Sequence, residues 1–205
     1  MPEKLLIATR NRGKWEEIRE LLADLPITLI GLEEFPSLPD APESGSTFEE
    51  NALLKARFFH ERTGLLTVAE DSGLEVEALG GAPGLLSARY GRSDAERIAR
   101  LLAELRDVPA EQRTARFVCV AALVGPHLER TFAGEVHGRI RTAPAGTHGF
   151  GFDPVFEYPP LGKTFAEMTR SEKSAVSHRG HAFRHLREFL TLLLERERDP
   201  SRSRA

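Results

Sequence analysis

The feature that most constrains this chain is the passage from Leu5-Leu6-Ile7-Ala8 into Thr9-Arg10-Asn11-Arg12-Gly13-Lys14. An unbroken apolar run without polar alternation suits a strand covered on both faces, as parallel strands of α/β folds are. Trp15, Ile18, Leu22 and Leu25 follow at helical spacing, with Leu21 beside them. A strand that turns through small and polar residues into a helix N-terminus gathers free backbone N–H groups and the positive end of the helix dipole, and so makes a place for phosphate. A hydroxyl, a side-chain amide and the three cations Arg10, Arg12 and Lys14 fall within that one turn. It is not a Walker loop, because the spacing G-x-x-x-x-G-K-[ST] is missing.

The rest of the chain alternates in the same manner. Lys4–Ala8 is the first predicted strand and Ile27–Ile30 the second, with Asp24-Leu25-Pro26 closing the helix between them. Gly31 to Ser46 is a long loop with three prolines. Thr47-Phe48-Glu49-Glu50 has the form of a capping box opening a helix to about Thr63, and Ser93-Asp94-Ala95-Glu96 has the same form ahead of Ile98, Leu101, Leu102 and Leu105. Between them Leu65–Ala69 is a short strand expected to stop at Glu70-Asp71-Ser72-Gly73, followed by the glycine-rich loop at Gly80–Gly84. Arg116–Val124 and Arg130–Arg139 flank Gly125-Pro126 as an antiparallel pair. A last helix runs from about His178 to Glu197, its buried stripe being Phe183, Leu186, Phe189, Leu190 and Leu193. Strands and helices mixed in this order predict an α/β protein with a central sheet, one domain over residues 1–197 and a disordered tail over 198–205.

Composition narrows the function. With 205 residues, 40% apolar, the chain can bury a sizeable core. A formal net charge of −3 argues against a general nucleic-acid binder but leaves room for local basic clusters serving a small anion. Cys119, the only cysteine, sits inside an apolar run and reads as a buried strand residue, which fits a reducing compartment. No run approaches the length of a membrane span or of a secretory leader, so a soluble, cytoplasmic protein is expected.

Four polar knots interrupt these elements. Besides the turn after the first strand, Glu70 and Asp71 are adjacent carboxylates, costly to crowd unless a cation lies between them. Mg²⁺ would relieve that repulsion and bridge to phosphate oxygens, and Glu43 from the preceding loop could reach the same ion. An acidic turn that merely caps the next element is the plainer alternative, as a solvated surface lysine is for Lys55. In Gly149-Phe150-Gly151-Phe152-Asp153-Pro154 the glycines let backbone approach a flat ligand while Phe150 or Phe152 stacks on it. Lys173-Ser174-Ala175-Val176-Ser177-His178-Arg179 brings a cation, hydroxyls, an imidazole and a guanidinium to the start of a helix. His178, His181 and His185 allow a zinc reading, but H-E-x-x-H is missing, and a site for an anion or a base edge is favoured.

Taken in order, the knots resemble the Ham1-like inosine/xanthosine triphosphate pyrophosphatases. The matching segments are Thr9-x-Asn11-x-Gly13-Lys14, Thr47-Phe48-x-Glu50-Asn51-Ala52-x-x-Lys55-Ala56 and Glu70-Asp71-Ser72-Gly73-Leu74. Gly81-x-Pro83-Gly84, Ser87-Ala88-Arg89-Tyr90, the Gly149–Pro154 loop and Lys173–Arg179 complete a set covering nearly the whole chain. The resemblance implies hydrolysis of the α–β bond of ITP, dITP or XTP to the nucleoside monophosphate and pyrophosphate. By the same resemblance Thr9–Lys14 and Lys55 hold phosphates, Glu43 and Asp71 (with Glu70 as a further candidate) handle Mg²⁺, and Asp71 is the general base. Ser72, Phe150, Gly151, Phe152, Asp153, Lys173, His178 and Arg179 match substrate-contacting positions. It also implies a two-lobed protein with a central mixed sheet, an active-site cleft and a homodimer. Arg10 stands where many relatives carry glycine, and Glu70 where aspartate occurs.

Rival readings are a non-catalytic nucleotide sensor on the same fold and a Maf-type pyrophosphatase. The first is disfavoured by Asp71 and Glu43, which a sensor does not need; the second by the lack of a Ser-x-Ser-Pro-Arg motif after the first strand. A Nudix box is also missing.

Overall fold

Lys4–Ile7 forms strand β1, and its pairing explains the unbroken apolar run. Leu5 lies beside Leu29 on one parallel neighbour and beside Leu66 on the other, and Leu5, Leu6 and Ile7 are all buried. The computed structural model describes residues 3–198, with side chains as far as residue 195. Its further strands are β2 (Thr28–Gly31), β3 (Leu66–Val76), β4 (Thr114–Gly125), β5 (Leu128–Ile140), β6 (Phe156–Tyr158) and β7 (Lys163–Thr164). They form one seven-stranded sheet in the order β2-β1-β3-β4-β5-β6-β7. Pairing is parallel at β2-β1-β3 and antiparallel at β5-β6-β7, so the sheet is mixed, as expected.

The helices are α1 (Arg12–Leu21), α2 (Phe48–Thr63), α3 (Asp94–Glu104), α4 (Arg170–Val176) and α5 (His178–Arg198). Strands β4 and β5, neighbours joined through Pro126 and His127, can only run antiparallel. His127, the turn residue after Pro126, takes a left-handed backbone (φ 56°). Helix α4 lies where the sequence predicts no helix, because its seven residues show too little periodicity. The tail predicted over 198–205 lies, beyond Arg198 itself, outside the described residues.

The chain separates into two compact units. The first comprises residues up to Asp71, Val120–Ala133 and the chain from His181 onward. Its buried side chains include Ile18 and Leu22 of the first helical segment, Ala52, Ala56 and Phe59 of α2, and Phe183, Leu186 and Leu190 of α5. The second comprises Ser72–Cys119 and Gly134–Gly180. Its core packs Leu101 and Leu105 with Phe117, Phe152, Phe156 and Phe165. Cys119 is buried, as its apolar setting predicts.

Two sequence expectations are corrected. Strand β3 does not stop at Glu70: it runs on through Glu70-Asp71-Ser72-Gly73 to Val76. The carboxylates are tolerated inside a strand because each meets a lysine, and the strand's alternation sends neighbouring side chains to opposite faces. The two predicted capping boxes are also offset. Thr47 and Ser93 accept from the N–H groups of Glu50 and Glu96 as N-caps should, but those glutamates reach back one residue further, to the N–H groups of Ser46 and Arg92. Reciprocal boxes do form at Thr164/Glu167 and Thr169/Glu172.

Candidate active site

In the first unit, the turn after β1 is an N-cap structure. Thr9 Oγ1 accepts from Asn11 N–H, and Asn11 Oδ1 accepts from Lys14 N–H at 3.0 Å, so both polar side chains serve the turn itself. The three cations diverge instead of converging. Arg12, 91% exposed, pairs with Glu16 one helical turn on. Arg10 donates to Asp40 Oδ1 at 2.8 Å and to the Leu38 carbonyl, tying the turn to the loop ahead of Glu43. Only Lys14 turns inward, with Nζ 2.6 Å from the buried Glu70 carboxylate.

Lys55 is the second inward cation, and not the solvent-facing residue its position on a helix suggested. Its Nζ lies 2.9 Å from Asp71 Oδ1 and 3.0 Å from Glu43 Oε1, bridging the two carboxylates. Asn51, one turn earlier on the same face of α2, donates from Nδ2 to Asp71 Oδ2 at 3.2 Å. Its Oδ1 accepts the Gly45 N–H at 2.8 Å, which binds the Glu43 loop to the same helix. A Cβ at Gly45 would stand 2.8 Å from that oxygen and 2.7 Å from Glu50 Cβ, so a larger residue would break the approach. The sequence by itself gives Asn51 no role; its i, i+4 spacing to Lys55 is the signal it offers.

Electrostatics follow from this packing. Burial raises the Asp71 carboxyl above the ordinary aspartate range, and the Lys55 charge pulls it only part of the way back. Burial alone would lower the Lys55 ammonium; Asp71 and Glu70 outweigh it and hold the lysine charged, with its pKa raised. Among the described residues, no three His, Cys, Asp or Glu side chains gather as a ready-made metal cage. The donor chemistry nonetheless fits Mg²⁺, which takes hard oxygens and commonly binds through one or two carboxylates together with substrate phosphates.

In the second unit, Lys173 and Asp153 form a buried ion pair, Nζ to Oδ2 2.5 Å. Asp153 Oδ2 also accepts the Phe150 N–H at 2.9 Å, folding the Gly149–Pro154 loop around the carboxylate. A Cβ at Gly149 would collide with that oxygen at 1.9 Å, on a backbone already left-handed (φ +74°). The two loop phenylalanines part company. Phe152 is core, edge-on to Tyr90 with ring centres 6.3 Å apart, which leaves Phe150 as the less buried of the two candidate stacking rings. Phe150 is half-buried, with Lys173 Nζ 5.0 Å and Arg179 Cζ 5.6 Å from its ring centre. Arg179, fully buried, donates from Nη2 to Ser72 Oγ at 3.1 Å. His178 stacks on Phe117, ring centres 4.6 Å apart, which accounts for its burial without a metal.

Comparison with known proteins finds relatives over most of the chain. A protein of Geobacter sulfurreducens named dITP/XTP pyrophosphatase is 51% identical over 191 residues, covering 91% of this chain and 96% of its own length. One of the same name from Streptomyces coelicolor is 50% identical over 189 residues, covering 89% and 94%. The structure of a HAM1 protein from Coxiella burnetii matches with a TM-score of 0.83 at 43% identity, over 92% of this chain and 98% of that one. The Ham1 protein of Staphylococcus aureus gives 0.82 at 40% identity, over the same shares. The model of the Ham1 family spans residues 5–189, from β1 through both lysine–carboxylate constellations into α5, and the chain belongs to that family.

Proposed function

We propose that the protein hydrolyses the α–β phosphoanhydride of non-standard purine nucleoside triphosphates (ITP, dITP and XTP), releasing the nucleoside monophosphate and pyrophosphate. The observation that carries this reading is Asp71, a carboxyl raised by burial yet held between Lys55 and Asn51. A base of raised pKa takes a proton from water more readily than an ordinary aspartate does. Relatives about half identical over most of their length are named dITP/XTP pyrophosphatase, which supplies the substrate class.

Asp71 accepts a proton from the attacking water. Lys14 and Lys55 meet charge on the phosphates, the amides of the Thr9–Lys14 turn add to that field, and Asn51 keeps Asp71 oriented. Glu43, Asp71 and Glu70 would hold Mg²⁺, whose charge offsets that of the triphosphate when it is bound. In the second unit, Phe150 offers a face to the base, while Ser72, Lys173, His178 and Arg179 present polar groups to its edge. Arg179 is a donor only and suits the 6-keto oxygen of hypoxanthine or xanthine; adenine would bring an amino donor against it.

The test is a panel of ITP, dITP, XTP, ATP and GTP at equal concentration, with and without Mg²⁺, assayed for pyrophosphate and orthophosphate separately. Pyrophosphate from ITP or XTP, dependent on Mg²⁺, is the expected result. Tight ITP binding without turnover would make the protein a sensor, and equal kcat/KM for ATP and ITP would overturn the account of the base. A cytoplasmic homodimer belongs to the same reading, and light scattering checks the stoichiometry.

A further inference from the structure

The loop Gly149–Pro154 is held from inside by Asp153, but a second carboxylate grips it from 57 residues away. Asp94, the first residue of α3, accepts the Gly151 N–H on Oδ2 at 2.7 Å. Its other oxygen, Oδ1, is taken by Arg97 Nη1 at 2.6 Å, and Arg97 Nε donates in turn to the Gly91 carbonyl. The carboxylate is thus oriented, not merely nearby. Gly151 sits in left-handed backbone (φ +63°), a conformation glycine adopts without a Cβ penalty. A second contact runs parallel to the first: Phe152 lies edge-on to Tyr90, whose hydroxyl hydrogen-bonds Glu104 on α3 and whose ring carries Arg100 at 4.0 Å. Phe150, the less buried of the two loop rings, directly precedes these two attachments in sequence.

We propose that Asp94, oriented by Arg97, is a positioning residue for base recognition: it fixes the backbone at Gly151 so that the Phe150 ring keeps its place under Lys173 and Arg179. Capping does not require this carboxylate, because Ser93 already caps α3 through the Glu96 N–H. A purely local role for Asp94 would be an i, i+3 pair with Arg97; the bond to Gly151 is what that role leaves over. The inference rests on the proposal that Phe150 faces the substrate base.

The experiment uses the full chain and the variants Asp94→Ala, Asp94→Asn and, as a control on the same helix end, Glu96→Ala. The first readout, amide hydrogen exchange at Gly151, needs no substrate. Exchange is expected to accelerate about tenfold or more in Asp94→Ala, and to stay near wild type in Glu96→Ala and in Asp94→Asn, whose amide oxygen can still accept. The second readout is steady-state hydrolysis of ITP. KM is expected to rise about tenfold in Asp94→Ala, the equivalent of one charge-assisted hydrogen bond, with kcat within about threefold of wild type and KM largely restored by asparagine. Unchanged Gly151 exchange in Asp94→Ala would overturn the positioning role, as would faster exchange with an unchanged KM. Failure of the wild-type protein to hydrolyse any purine triphosphate would instead defeat the functional reading, and the exchange result would still stand.

Discussion

The two lysine–carboxylate constellations use the same residue types for opposite purposes. In the first unit, carboxylates outnumber ammonium groups: Glu43, Glu70 and Asp71 face Lys14 and Lys55. In the second, Lys173 and Asp153 are matched one to one and deeply buried, with backbone N–H groups closing around the carboxylate. Excess negative charge suits a place where cations come and go with a triphosphate. A balanced, dehydrated pair suits a fixed scaffold, because removing one partner strands a charge that water cannot reach. The lesson is that an ion pair's function is legible in its stoichiometry and burial more than in its residue names.

The largest expected effect tests the first constellation alone. Asp71→Asn should lower kcat by about 10²–10⁴, with a much smaller change in substrate affinity, since a carboxamide cannot accept the water's proton. Turnover within a few-fold of wild type would remove Asp71 from the role of base. The second constellation should answer in stability instead. Asp153→Asn leaves the Lys173 ammonium buried against a neutral group and should cost about 3 kcal/mol in denaturant unfolding, several times the cost of Asp71→Asn. Equal stability losses at the two aspartates would erase the distinction drawn between them.

Specificity should come from the second unit. Arg179→Ala is expected to shrink the ITP-over-ATP ratio of kcat/KM by about tenfold, as the donor opposed to adenine's amino group is lost. A ratio that survives the substitution would place discrimination elsewhere.

A smaller effect is read on the pH axis. With Asp71 as the proposed base, acting as a carboxylate of raised pKa, kcat/KM should fall with decreasing pH through a midpoint above the ordinary aspartate value of about 3.9. Because Lys55 lowers that pKa, Lys55→Met should move the midpoint further up, whatever it does to the rate itself. The stability linkage has the opposite sign. A raised pKa means the folded state holds the proton more tightly, so this group's contribution is full below the ordinary value and lost as pH rises through the folded one. An acid limb at the ordinary value in both proteins would contradict the burial argument.

The smallest effect belongs to an exposed pair. Glu172, the capping-box residue of α4 beside Lys163, has its pKa lowered to about 2 by that lysine and the Thr169 N–H. Its contribution should be present above the ordinary glutamate value and disappear as pH falls toward about 2. Comparing Glu172→Gln with wild type by thermal unfolding at pH 7 and pH 2 checks this: a difference at pH 7 that closes at pH 2.

Much of this molecule was legible before folding. Helix α2 begins after Thr47 and ends at Thr63 as its cap and periodicity predict, and β1 reads as a doubly covered strand because no polar residue interrupts Leu5–Ala8. Such features depend on neighbours along the chain, where spacing alone carries the geometry. The sequence ends β3 too early for the complementary reason: adjacent carboxylates stop a strand unless distant lysines neutralise them, and Lys14 and Lys55 come from two separate helices.

By itself, then, the sequence determined the order of the elements from β1 to β5 and the last long helix, the family and the set of residues from which a site can be built, but not the short β6, β7 and α4. Only the tertiary structure decided their employment. It separated Lys14 from Arg10 and Arg12 within one turn, sent Phe152 into the core while leaving Phe150 half-open, and brought Asn51 to Asp71 and Asp94 to Gly151. Local periodicity tells which face of an element is buried, but charge and hydrogen-bond partners are chosen across elements, at distances along the chain that no local pattern encodes.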